Sequence, residues 1–225
     1  MKSQAASPLL FLLDVDNTLL DNDRIEHDVS DHLTHKLGRE ACNMYWSILE
    51  QLRSELGYAD FLGALQRYRA ERLHDPRVLE MSSFLVDYPF ADRLYPRALE
   101  LVNWLNRKWP TVILSDGDAV FQPLKVHRSG LWKAVGGRVL IYIHKEQMLD
   151  EVERRYPAGH YVFVDDKVRL LTAVKQIWGG RVTTVFPRQG HYAVDPSVKT
   201  YPAADMMVEH IGDLFEYVTK TFEPH

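Results

Sequence analysis

The residues best suited to chemistry in this sequence are its paired acids. Asp14-Val15-Asp16-Asn17-Thr18 holds two carboxylates two residues apart, and Asp165-Asp166 holds two side by side. In extended backbone, residues i and i+2 face the same side, so Asp14 and Asp16 converge on one small site if they end a strand. Taken alone, each segment reads as an ordinary turn or helix cap, where Asp and Asn are favoured. Gathered at one place, the same groups repel: two unit charges about 4 Å apart cost about 4 kcal/mol at an effective dielectric near 20. A bound cation or a raised pKa must relieve that repulsion. Oxygen-only ligands favour Mg²⁺, which uses one or two carboxylates, waters and a substrate phosphate. Two further positions suit such a site. The Ser115 hydroxyl and the following backbone N–H groups can hold an anionic oxygen, with Gly117 allowing close approach, and Lys145 supplies a fixed positive charge.

The elements around these residues support a common location. Leu9 to Leu13 is a continuous apolar run that leads into Asp14, as expected of a parallel strand buried on both faces. Thr111 to Leu114 leads into Ser115, Asp116 and Gly117, and Tyr161 to Val164 leads into Asp165 and Asp166. Val139 to Ile143 and Val182 to Phe186 are shorter strand candidates. Helical patterns cover Ala98 to Trp109, Ala119 to Ser129, Glu146 to Tyr156, Val168 to Trp178 and Ile211 to Phe222. Alternating strands and helices predict an α/β fold, with a Rossmann-like parallel sheet and helices on both faces. In such sheets ligands bind outside the carboxyl ends of the strands, where the acids and Ser115 fall.

Residues 21–91 differ. They contain no strand run, and Tyr45, Ile48, Leu49, Leu52 and Leu56 follow helical spacing, as do Phe61, Leu65 and Tyr68. Gly57 reads as a helix stop, Asp60 as an N-cap, and Val78 to Val86 as another helix after Pro76. The expected organisation is an α/β core formed by 1–20 and 92–225, interrupted by an all-helical insert over 21–91.

The chain has 225 residues, with 27 Lys plus Arg against 31 Asp plus Glu, a formal net charge of −4. That balance argues against nucleic acid as the main partner, because phosphate backbones call for a basic surface. No apolar stretch approaches the roughly 20 residues of a membrane helix, and the Leu9 to Leu13 run is too short for a signal-peptide core. The one cysteine, Cys42, cannot form an intramolecular disulfide. The expected setting is cytoplasmic, away from membranes.

In order, Asp14-x-Asp16-x-Thr18, Ser115, Lys145 and Asp165-Asp166 resemble the four motifs of the haloacid dehalogenase-like (HAD) hydrolase superfamily, and the likeness spans almost the whole chain. The helical insert after the first motif resembles the cap of its first cap class, and Asp21 matches an acidic position often seen there. The resemblance implies Asp14 as nucleophile and Asp16 as general acid, then base. It implies Ser115 as a ligand of a phosphoryl oxygen, and Lys145 as the balancing charge. Mg²⁺ would be held by the Asp14 side chain, the Asp16 carbonyl and an acid of the last pair, Asp166 preferred over Asp165. The chain departs from the pattern at Asp116, where many relatives have Asn. A further carboxylate beside a phosphate is unfavourable unless it turns away or meets a cationic substrate group. The proline that often follows the third-motif lysine is also missing. Lys145 fits that motif better than the earlier Lys125 or Lys133.

The resemblance implies a Mg²⁺-dependent phosphomonoesterase acting on a small phosphorylated metabolite. A 2-haloacid dehalogenase and a phosphomutase are the enzymatic alternatives. The former generally lacks an acid at the position of Asp16, since halide leaves without a proton. A catalytically inactive HAD-like binding or scaffold protein is the non-enzymatic alternative. The order of motifs argues against a response-regulator receiver, whose acidic pair lies near its first strand. Elsewhere, His27, His32 and His35 read as a solvated helix face, Tyr45 and Trp46 as core, and Cys42 as packing. Arg24, Arg67 and Arg69 are insert residues that could reach a substrate.

Overall fold

The computed structural model describes residues 6–73 and 75–222; residues 1–5 and 223–225 of the expected core segments and His74 of the insert lie outside them. Six parallel strands form one sheet: β1 (Ser7–Leu13), β2 (Thr111–Asp116), β3 (Val139–Tyr142), β4 (Ala158–Val164), β5 (Val182–Pro187) and β6 (Met206–Val208), in the order β3-β2-β1-β4-β5-β6. The apolar run of β1 works as its pattern predicts. Leu9, Phe11 and Leu13 enter one hydrophobic cluster, while Leu10 and Leu12 enter the cluster on the opposite face. Strand β4 divides likewise, Val162 and Val164 to one side and Tyr161 and Phe163 to the other.

Helices cover both faces. Helices α5 (Ala98–Lys108), α6 (Phe121–Arg128), α7 (Leu131–Ala134) and α10 (Leu214–Phe222) contribute to the first cluster, through Leu101, Leu105, Val126, Leu131 and Val218 among others. Helices α8 (Leu149–Arg155) and α9 (Val168–Trp178) contribute Leu149, Val152, Leu171, Val174 and Trp178 to the second. The architecture is a Rossmann-like α/β sandwich. Element limits differ from the pattern-based reading at several ends. Strand β3 stops at Tyr142, and the expected helix from Glu146 divides into a 3₁₀ turn, Lys145–Gln147, and α8. The last helix likewise begins as a 3₁₀ turn, Ile211–Asp213, and strand β6 carries too short a run to stand out by periodicity.

Among the described residues, four helices form the insert that follows β1: α1 (Asn22–Leu37), α2 (Arg39–Leu56), α3 (Phe61–Ala70) and α4 (Arg77–Asp87). Asp21 caps α1 by accepting from the Arg24 N–H at 2.9 Å, which gives this acid a structural task. Gly57 ends α2 in the left-handed conformation at φ 84°, and Asp60 caps α3 by accepting from the Gly63 N–H at 2.7 Å. The helices share their own buried cluster, including Ile25, Tyr45, Leu49, Phe61, Met81 and Leu85. Tyr45 donates its hydroxyl to the Phe61 carbonyl at 2.9 Å, Cys42 is buried in the same cluster, and His32 stacks on Phe84. The chain enters and leaves this layer through adjacent segments, with Asp21 N–H bonded to Arg93 O at 2.8 Å and Tyr95 N–H to Leu19 O at 2.9 Å.

Phe121, the first residue of α6, joins the insert's cluster, with ring centroids 5.0 Å from Phe61 and 5.5 Å from Phe90. It is therefore a main apolar tie between sheet-packed helices and the insert. Phe121→Ala is expected to lower unfolding free energy by about 3–5 kcal/mol, the range for truncating a buried aromatic side chain, as read by chemical denaturation.

Candidate active site

The strand order sets the site. Strand β1 lies between β2 and β4, and Leu13 is in register with both Ile113 and Val164. The chain runs outward from β1 in one direction through β2 and β3, and in the other through β4, β5 and β6. This is the switch point at which α/β sheets leave a crevice beyond the strand ends. Asp14, Ser115-Asp116 and Asp165-Asp166 all emerge there, and Lys145 follows the end of β3.

Lys145 occupies the centre. Its Nζ lies 2.6 Å from Asp14 Oδ1 and 2.6 Å from Asp165 Oδ2, and donates to the Leu114 carbonyl at 3.3 Å. Burial by itself would depress this lysine, but Asp14, Asp165 and Asp116 outweigh it and hold the ammonium well above its ordinary pKa. Ser115 Oγ donates to Asp14 Oδ1 at 3.3 Å. Thr18 Oγ1 accepts from the Asp166 N–H at 3.1 Å and lies 3.5 Å from Asp14 Oδ2, linking the two acidic segments.

The last pair divides its labour. Asp165 Oδ1 accepts from the Lys167 N–H at 2.8 Å while its other oxygen faces Lys145. Asp166 is buried with neither carboxylate oxygen hydrogen-bonded. Burial, then repulsion from Asp165 and Asp14, pushes Asp166 well above the usual carboxylate range, and the nearby lysines offset only part of this. Oxygens of Asp14, Asp165 and Asp166 lie within 4.8 Å of one another. Orphaned, buried, all-oxygen donors beside a second carboxylate are what a hard divalent cation requires, so the residues present fit a metal.

Asp16 turns elsewhere. Its Oδ1 accepts from Lys125 Nζ at 2.6 Å and its Oδ2 from Gln122 Nε2 at 3.3 Å; Gln122 also donates to Ser115 Oγ at 3.0 Å. Lys145 and Lys125 thus both belong to the site, each on a different Asp of the first segment. Asp116 resolves its apparent misfit by accepting from the Lys145 backbone N–H at 2.8 Å. Burial raises its pKa to about 6, against the partial pull of Lys145.

A cavity of about 680 Å³ opens here, lined on the core side by Asp16, Asp116, Gln122, Lys125, Asp166 and Lys167. Asp14, Ser115, Lys145 and Asp165 are not in its wall and are almost wholly buried. From the insert come Asn22, Glu26, Arg53 and Tyr58. Of the three insert arginines that could reach a substrate, none lines the cavity: Arg24 pairs with Asp28 at 3.1 Å, Arg67 with Glu55 at 2.7 Å, and Arg69 is absent from the lining. Arg53, in the last turn of α2, is the insert arginine at the cavity, 3.7 Å from Glu26. Nothing in the local sequence separates Arg53 from the others, because a helix face toward the core is set by packing. Gln122 and Lys125 carried one usable signal, a spacing of three that puts both on one face of α6.

A family model for haloacid dehalogenase-like hydrolases matches residues 9–177. The chain belongs to the haloacid dehalogenase-like hydrolase family. A Burkholderia xenovorans LB400 protein, whose crystal structure carries only that family-level name, is 58% identical over 97% of this chain and 100% of its own, with a TM-score of 0.90. The Xanthobacter autotrophicus L-2-haloacid dehalogenase, solved with chloropropionic acid covalently bound, is 18% identical over 96% of this chain and 100% of its own, at a TM-score of 0.59. The Bacillus subtilis HAD-family protein YfnB, solved with magnesium, is 15% identical over 95% and 99%, at 0.63. The last two likenesses show the shared HAD fold. No curated protein matches the chain. Among the described residues, no helix of this HAD-like hydrolase is long and apolar enough to cross a membrane.

The raised Asp116 gives a prediction in pH. A carboxyl with a folded-state pKa near 6, above its unfolded value of 3.8, contributes stability that is full below about pH 4 and is lost as pH rises through about 6. Asp116→Asn cannot titrate, so its stability relative to wild type should improve across that window. Denaturation midpoints from pH 4 to 7 check this, and a constant difference between the two proteins would refute it.

Proposed function

We propose that this HAD-like hydrolase is a Mg²⁺-dependent phosphomonoesterase acting on a small phosphorylated metabolite through an aspartyl-phosphate. The observation that carries the reading is the pairing of Asp166, whose buried oxygens have no partner among the described residues, with a second carboxyl group, Asp16, on the cavity wall. Displacement of halide by a carboxylate needs neither a metal nor a proton donor. Cleavage of a phosphate ester gains from both. The cavity's volume of about 680 Å³ lies within the range of small-molecule pockets and suits a metabolite better than a nucleic acid.

In this scheme an Asp14 carboxylate oxygen attacks phosphorus as the ester P–O bond breaks, and Asp16 gives its proton to the departing oxygen. Water then attacks phosphorus of the aspartyl-phosphate, Asp16 takes up the water's proton, and inorganic phosphate leaves with Asp14 restored. The carboxylate nucleophile divides one difficult displacement into two. Lys145 orients Asp14, and Ser115, once released from Asp14, donates to a phosphoryl oxygen. Asp14, Asp166 and the Asp16 carbonyl would hold Mg²⁺, with Asp165 committed to Lys145. The ion would neutralise phosphoryl charge, the chief demand of phosphoryl transfer. Asp14 is only 4% exposed, so substrate reaches it after neighbouring side chains or the helical insert shift, as in other lidded enzymes. Helices α1–α4 act as the cap, and Glu26, Arg53 and Tyr58 select the leaving group.

A panel of phosphate monoesters assayed with Mg²⁺, with 2-chloropropionate as control, tests the reading. Phosphate release that EDTA suppresses and Mg²⁺ restores is expected, and Asp14→Asn should lower it by at least about 10³-fold while the protein stays folded. Metal-free turnover of the haloacid, with none of the phosphates, would replace the phosphatase with a dehalogenase.

Metal affinity separates the acids. Asp166→Ala is expected to raise the Mg²⁺ concentration for half-maximal activity more than Lys145→Ala does, because both buried oxygens of Asp166 lack a hydrogen-bond partner among the described residues. Equal Mg²⁺ requirements in the two variants would count against Asp166 as the ligand.

A further inference from the structure

Asp16 is held by both oxygens, and both contacts come from α6. Lys125 donates to Oδ1 at 2.6 Å and Gln122 to Oδ2 at 3.3 Å. Lys125 is 1% exposed, and its second bond, 2.9 Å long, goes to Asn22 Oδ1. Asn22 is the first residue of α1, and its own amide group donates to Glu26 Oε1 at 3.1 Å, one turn along that helix. A single buried ammonium therefore joins three parts of the molecule: the segment after β1, helix α6, and the first turn of the helical insert. Asp16, Asn22, Gln122 and Lys125 all line the cavity.

Lys125 and Gln122 between them engage both oxygens of Asp16, so its side chain has few alternative orientations. Orientation matters for a proton donor. It must come within hydrogen-bond reach of the departing oxygen, and a misplacement of about 1 Å can cost about 100-fold in rate. We propose that Lys125 is the positioning residue for Asp16, and that through Asn22 it makes the placement of Asp16 depend on the position of α1. The first turn of the insert is thereby tied to the group that handles the leaving-group proton. The inference deepens the phosphatase reading and rests on it.

The experiment compares formation of the aspartyl-phosphate in single turnovers with p-nitrophenyl phosphate and with phenyl phosphate, whose leaving group needs protonation far more. Lys125→Met keeps the buried stem and removes the charge. It should slow the phenyl ester by about 10-fold or more, a share of the 10²–10⁴-fold that a positioned acid typically supplies, while changing the nitrophenyl ester by less than about threefold. Lys125→Arg, which keeps the charge, should recover part of the loss. A double-mutant cycle removes dependence on the single variant's folding, since Asp16→Asn with Lys125→Met deletes both charges together. If Lys125 acts through Asp16, adding Lys125→Met to Asp16→Asn changes neither ester by more than about twofold. An equal loss on both esters, or an undiminished loss in the Asp16→Asn background, overturns the inference while leaving the phosphatase standing. A wild-type protein inert toward every phosphate ester removes the phosphatase reading and the inference with it.

Discussion

The buried ammonium of Lys145 makes the rest of the site tenable. Three parallel strands deliver Asp14, Asp116 and Asp165-Asp166 to one edge of the sheet, where burial strips them of water and brings their charges together. Without a cation among them, such carboxylates would repel or take up protons. Lys145 lies 2.6 Å from both Asp14 and Asp165, and its backbone N–H engages Asp116. The strand-end cluster is thus built around a charge supplied by the turn after β3, the strand at one edge of the sheet. What Lys145 does not reach is Asp166, and that leaves one buried carboxylate aimed at the same place without a protein partner. The site is balanced except at that point, where a divalent cation would complete it.

Asp14 and Asp16, two residues apart on the same chain segment, fall under different lysines, and this division has mechanistic weight. Lys145 holds Asp14 by a direct contact of 2.6 Å. Lys125 and Gln122 turn Asp16 toward α6 and the cavity instead. Two similar side chains thus acquire different surroundings, the arrangement that the proposed division into nucleophile and acid–base group requires. Helix α6 is central to this. Phe121 anchors it in the core of the insert, and Gln122 beside it and Lys125 one turn on hold Asp16. Packing between sheet and insert and geometry at the reacting centre therefore share one short helix.

Fold likeness within the HAD family does not choose the chemistry. The described architecture is shared with a haloacid dehalogenase and with a magnesium-bound HAD-family protein at nearly equal structural similarity. The choice rests on individual side chains: an acid at position 16, unpartnered oxygens at 166, and the polar residues that the insert sends to the cavity. Function in such a fold resides in the groups placed on it.

Much of this was determined by the sequence alone. The apolar runs ending at Asp14, Ser115 and Asp165 fixed three central strands, since strands covered on both faces must be continuously apolar. The helical spacing of residues 45–56 and 61–68, with Gly57 and Asp60 at its breaks, defined helices α2 and α3. Acids at three strand ends pointed to one crevice, because a parallel sheet aligns its carboxyl ends. Tertiary structure decided the pairings. Lys145 meets Asp14 across 131 positions of chain and Lys125 meets Asp16 across 109, so no local pattern could pair them; the order of motifs favoured Lys145, and both proved to belong to the site. Arg53 replaced Arg24, Arg67 and Arg69 at the cavity because the rotation of α2 is set by burial of Tyr45, Leu49 and Leu52, not by the arginine itself. Periodicity is a property of neighbours along the chain, and it reveals which face of an element is apolar. Which charge faces which depends on register between strands and on how helices settle against one another, and those are fixed only when the whole core is packed.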